Sequence, residues 1–106
     1  MLAHGFLVAT FASVSEPATA ALLRTGMAEA LRDPEAASVL RQFTAHRRAI
    51  LIDILTRARE CGELPGHADL ELIADQAYGL LWYRVLLGEA ELSAEVGREL
   101  AHTLVR

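Results

Sequence analysis

Lysine is missing from this 106-residue chain, so apart from His every basic side chain is Arg. Schiff-base chemistry therefore has no candidate amine side chain. Cysteine occurs once, as Cys61, which excludes an internal disulfide and a Cys-rich zinc site. Proline occurs three times, and alternation of the strand type is absent. No apolar run reaches the roughly 20 residues that a bilayer-spanning helix needs. Cations are in deficit, with a formal net charge of −4, so the chain by itself lacks the electrostatic footprint for holding nucleic acid. The opening run MLAHGFLVATFASVS has the apolar middle of a signal peptide but no positive n-region, because the first Arg is Arg24. It reads as a buried first helix, and a cytoplasmic location follows. A nucleophile elbow, a phosphate loop and a dinucleotide fingerprint are all missing, and no enzyme is read here.

What remains is apolar and helical. Apolar residues make up 53% of the chain and charged ones 23%, a balance that folds rather than staying disordered. The length suits one domain over residues 1–106 with a single core. Ala, Leu, Glu and Arg are frequent, which points to the all-α class.

Residues 69–88, DLELIADQAYGLLWYRVLLG, read as one helix. Asp69 supplies an N-cap, Glu71 a negative charge in the first turn, and Gly88 a left-handed C-cap. At 3.6 residues per turn, Leu72, Ile73, Leu80 and Leu87 fall on one side. Leu70, Ala74, Ala77, Leu81 and Val85 fall on the other. A helix apolar on both sides needs neighbours on both sides. It is either central to its own domain or shared with a second copy of the chain.

Four further helices flank it. Residues 2–13 carry Leu2, Phe6, Ala9 and Ser13 at helical spacing, with Leu7 and Phe11 on a neighbouring face. Met1 offers no capping signal, so this stretch reads as the last turns of a truncated helix. Ser15-Glu16-Pro17 breaks the chain and starts a second helix to about Leu31, with Ala21, Leu22, Met27 and Leu31 as buried candidates. Asp33-Pro34-Glu35 is a strong start signal for a long third helix stopped by Gly62. Its best stripe is Ala36, Leu40, Phe43, Arg47, Ile50, Ile54, Ala58 and Cys61, with a second ridge of Val39, Leu51 and Leu55. Ser93 caps a last helix through about Val105, in which Val96, Leu100 and Leu104 line one side and Gly97 lets another helix approach. The expectation is a five-helix bundle.

Arg47 in the middle of an apolar stripe is the most informative polar placement. The structural reading has its stem buried and its guanidinium on Asp75, Glu71 or a backbone carbonyl. The functional reading makes it the polar anchor of a pocket for an acidic or polar ligand. Phe43, Tyr78, Trp82 and Tyr83 are either core or the walls of that pocket. Glu99 and His102 match one half of a di-metal Glu-x-x-His pattern, but no second half exists, so no metal site and no cofactor are expected.

Taken together, several of these features resemble one family. They are Asp33-Pro34-Glu35, the pair Arg47-Arg48, and Arg57-Ala58-Arg59-Glu60-Cys61-Gly62-Glu63-Leu64. Ala68-Asp69 and the run ADQAYGLLWYRVLLG over residues 74–88 complete the set. In order and spacing they are similar to the C-terminal regulatory domain of TetR-family transcriptional repressors. The resemblance implies a domain that dimerises through its last two helices and binds a small-molecule effector among the earlier ones. Contact with DNA would run only through an N-terminal helix-turn-helix domain, which this chain does not contain; residues 1–15 are too few and too apolar to supply it. The implied partners are a second copy of the chain and an unidentified effector, with no membrane. Leu70, Ala77, Leu81 and Val85 of the fourth helix and Val96, Leu100 and Leu104 of the fifth are the candidates for the dimer interface. The effector candidates Phe43, Arg47, Ile50, Tyr78 and Trp82 come from periodicity and not from a family motif. The alternative is a stand-alone helical interaction domain with a filled core and no ligand.

Overall fold

A computed structural model describes residues 2–87 and 93–104. The chain folds into five helices: α1 (Leu2–Val14), α2 (Pro17–Ala30), α3 (Pro34–Glu60), α4 (Leu70–Leu87) and α5 (Ala94–Leu104). The helix boundaries follow from local capping chemistry. Asp33 Oδ1 accepts the Glu35 N–H at 3.0 Å and Asp69 Oδ1 accepts the Leu72 N–H at 3.1 Å. Ser93 Oγ accepts the Val96 N–H at 3.3 Å. Each satisfies a first-turn donor with no intrahelical partner. Pro17 and Pro34 open α2 and α3, where a missing N–H costs nothing. Gly62 stops α3 by taking φ +81°, and the next N–H, on Glu63, folds back to the Ala58 carbonyl at 2.9 Å. Gly88, the turn at 89–92 and Val105 lie outside the described residues.

The core is made by one face of each of four helices. Ala3, Leu7, Phe11 and Val14 of α1 meet Leu51, Leu55 and Ala58 of α3, together with Leu70, Ala74, Ala77, Leu81 and Val85 of α4 and Ala101 of α5. The opening apolar run is thus a core helix, and α1 touches all four other helices. The helix at the centre of the described fold is α1 and not α4. Among the described residues α5 docks on α1 and makes no substantial contact with α4. Gly97 permits that docking: a Cβ there would stand 2.8 Å from the Leu7 carbonyl oxygen. Among the described residues no single helix is long and apolar enough to cross a membrane.

Three assignments of buried faces shift. In α1 the neighbouring Leu7–Phe11 face is the buried one, and Ser13 is exposed. In α3 the second ridge, Leu51 and Leu55, is buried, whereas Phe43 is half exposed and Cys61 exposed. The cause is coverage: the core of the fold gathers around the C-terminal half of α3, and the N-terminal half leaves Val39 largely exposed. No residue of α2 is fully buried, and Leu22 and Leu31 are 71% and 83% exposed. α2 lies as a cover over α3, held partly by the Arg24 guanidinium, which donates to the Val85 carbonyl of α4 at 3.1 Å.

Candidate functional site

A cavity of about 270 Å³ opens between α1, α2, α3 and α4. α1 brings Thr10, Ser13 and Val14 to it, and α2 brings Thr19 and Leu23. Phe43, Thr44 and Arg47 of α3 and Tyr78, Leu81 and Trp82 of α4 complete the wall. Spacing of three and four residues puts each set on one helix face, and so at one cavity. A wider groove of about 590 Å³ runs along the other side of Thr44, Tyr78 and Trp82, with Met27, Leu40, Arg41, Ala45 and Arg48. These three side chains form the partition between the two spaces.

Arg47 and Tyr78 fix the polar side of the cavity. The Arg47 Nη2 group donates to Thr10 Oγ1 at 3.1 Å, and the guanidinium carbon lies 5.1 Å from the centroid of the Phe6 ring. The ring face attracts the cation and holds its plane. The Tyr78 hydroxyl donates to the Arg47 backbone carbonyl at 3.1 Å. Burial pushes the Tyr78 pKa up from its ordinary value, while the Arg47 charge pulls the other way and falls short. The phenol therefore stays protonated and pins α4 to α3.

The carboxylates expected near Arg47 belong instead to its neighbour. Arg48 Nη1 reaches Asp75 at 2.6 Å and Nη2 reaches Glu71, so one guanidinium holds two carboxylates of α4. The hydrogen bond that Arg48 donates to Glu71, together with the two negative charges, raises the Arg48 pKa against the cost of burial. One helical step separates the two roles, because adjacent residues point about 100° apart around a helix.

Of the five effector candidates, Phe43, Arg47, Tyr78 and Trp82 line the cavity and Ile50 does not. Ile50 stands about one turn beyond Arg47 along α3. The hydroxyl-bearing wall, Thr10, Ser13, Thr19 and Thr44, went unread in the sequence. Its signal is Thr10, a polar residue on the buried Leu7–Phe11–Val14 face, 9% exposed.

The interface candidates fall differently. Leu70, Ala77, Leu81 and Val85 are at most 8% exposed within the single chain, so they pack against their own domain and have almost no surface left for a partner. The open side of α4 is the opposite one, where Leu72, Tyr83 and Leu87 are 55%, 61% and 51% exposed. On α5, Val96 and Leu100 are half-buried against the core, and the Leu104 side chain lies outside what is described. His102 meets His4 of α1 edge-on, ring centroids 5.8 Å apart. Among the described residues no group of three or more His, Cys, Asp or Glu side chains gathers.

The all-α architecture with a cavity walled by the long third helix and the fourth is consistent with the family suggested by the sequence pattern. A family model described as tetracyclin repressor-like, C-terminal domain, matches residues 4–104. No curated protein and no solved structure matches the chain significantly. With the match running over nearly its whole length, the chain belongs to the tetracyclin repressor-like C-terminal domain family.

Proposed function

We propose that this chain is the effector-sensing and homodimerisation module of a TetR-like transcriptional regulator working in the cytoplasm. A small molecule held in the cavity between α1 and α4 would control DNA binding by a helix-turn-helix domain joined to it. The observation that carries the reading is the cavity itself, apolar in most of its wall and equipped with a few convergent polar groups, as small-molecule sites are. It favours this reading over a filled interaction domain, which would have no such space. A ligand there touches four helices at once, so its binding energy can be spent on their relative positions. The chain carries no catalytic role in this account.

A second copy is supported by the surface. The chain exposes 6481 Å², whereas a compact monomer of 11.5 kDa exposes about 5,800 Å². It is also thin, with extents of 43 × 27 × 16 Å. Leu72, Tyr83, Leu86 and Leu87 on the outer side of α4 offer an isologous partner an apolar face.

Trp82 is the single tryptophan and stands in the cavity wall, so its emission tests the reading. A library of small neutral and charged molecules should contain compounds that change Trp82 emission saturably and raise the melting temperature. Ser13→Phe, which fills the cavity from an exposed position, should abolish the response while the helical circular dichroism remains. A library without a single such compound, or hits indifferent to Ser13→Phe, would contradict it.

A further inference from the structure

The cavity reading above can be carried to the chemistry of its ligand, and the following inference rests on it. Arg47 and Arg48 are adjacent, yet α3 gives them opposite surroundings. Arg48 takes both Glu71 and Asp75. Arg47 has a neutral hydroxyl, Thr10, and a neutral ring, Phe6. Among the described residues no Asp or Glu lines the cavity, and Arg47 has no acidic partner there.

A guanidinium is charged at every physiological pH and carries five N–H donors in a planar fork. Thr10 accepts from one nitrogen and Phe6 lies against the group, so its plane is held before any ligand arrives. The Tyr78 hydroxyl also lies within reach of the guanidinium, so its partners among the described residues are neutral groups. A half-buried cation without a counter-charge is costly to keep, and a carboxylate with two parallel oxygens is the partner that matches the fork. Among the described residues Arg47 is the one formally charged residue of the lining. One positive charge matches a monoanion better than a phosphate dianion, which would need a second cation.

The rest of the wall describes the rest of the molecule. Val14, Leu23, Phe43, Leu81 and Trp82 supply the aliphatic and aromatic part of the same wall. The volume of about 270 Å³ lies just under the range of about 300–1,000 Å³ that holds drug-sized ligands. It suits one ring or a short chain. We propose that the cavity binds a small apolar monocarboxylate, its carboxylate on Arg47 and its hydrocarbon body against Phe43, Leu81 and Trp82.

The test uses phenylacetate, 3-phenylpropanoate and hexanoate, each beside its own primary amide. They are titrated into the 106-residue chain with Trp82 emission and backbone ¹H–¹⁵N shifts as readouts. The acids should bind about tenfold or more tighter than the amides, the difference expected of a charge-assisted bidentate contact. The shifts should centre on Arg47 and Trp82. Arg47→Met should remove the preference for the acid, and Arg47→Lys should keep part of it. Circular dichroism establishes that the variants fold; the acid-against-amide comparison in the wild type decides the matter even where one does not. Amides that bind as tightly as acids would overturn the carboxylate assignment and leave the cavity as a neutral-ligand site. Failure of both classes would overturn it together with the ligand-binding reading for molecules of this size.

Discussion

Two glycines with opposite surroundings make the residue scale testable. Gly97 lies where α5 crosses α1, and a Cβ there would press on the Leu7 carbonyl at 2.8 Å and on the Val8 Cα at 3.1 Å. Both are backbone atoms and cannot swing aside. Gly97→Ala should gain up to about 1 kcal/mol in helix propensity and lose about 1–3 kcal/mol to overpacking. A net loss in urea unfolding is expected. Gly26 of α2 has nothing within 4 Å of its added Cβ, so Gly26→Ala should stabilise by about 0.5–1 kcal/mol. Equal effects at the two sites would refute the close crossing. Tyr78 supplies a pH signature. Its pKa is raised above 10.0 in the folded state, chiefly by burial, so the folded chain holds that proton more tightly than the unfolded one. By linkage, this contribution to stability is complete below pH 10 and is lost as the pH rises through the folded pKa. The alkaline fall in stability should be shallower in Tyr78→Phe, which urea unfolding at pH 9 and pH 11 would measure.

At the scale of elements, the helices differ in what holds them. α2 has no fully buried residue, and its amides should exchange fastest of the four N-terminal helices. Thr19 and Leu23 line the cavity, so a saturating ligand should slow α2 exchange more than that of the C-terminal half of α3. Arg48 ties α3 to α4 through Glu71 and Asp75, whose side chains are 74% and 66% exposed. Arg48→Met should therefore cost only about 1 kcal/mol, and less in 1 M salt. The element boundaries were legible in the sequence because Asp33, Asp69, Ser93 and Gly62 act on backbone groups within three or four residues of themselves. Which face is buried was less legible. α4 is apolar on both sides, and periodicity has no means of choosing between Leu81 and Leu87. In α3 the apolar stripe through Phe43 and Cys61 is real, but no neighbour covers its ends. The site was legible to the same extent. Phe43, Arg47, Tyr78 and Trp82 were marked by type and placement, whereas the Thr and Ser wall comes from α1 and α2, whose approach no local pattern encodes. Nor could spacing tell that the two carboxylates would go to Arg48.

At the scale of the whole molecule, the exposed side of α4 and the thin shape set an expectation for assembly. Tyr83→Glu with Leu87→Glu should convert a sedimenting dimer into a folded monomer, since both side chains are more than half exposed within one chain. Leu81→Glu should act differently. Leu81 is 4% exposed, so a charge there has no route to water by dissociation, and the chain should unfold or lose several kcal/mol. A Leu81→Glu chain that stayed as stable as the wild type but monomeric would place the partner on the other side of the helix. The proposed function turns on a small molecule held in the space walled by α1, α2, α3 and α4. Isotope-filtered NOE measurements between an unlabelled bound ligand and the ¹³C,¹⁵N-labelled chain test it most directly. Cross-peaks to Val14, Leu23, Phe43, Leu81 and Trp82 are expected; cross-peaks confined to Leu72, Tyr83 and Leu87 would put the ligand on the outer face and overturn the cavity as its site.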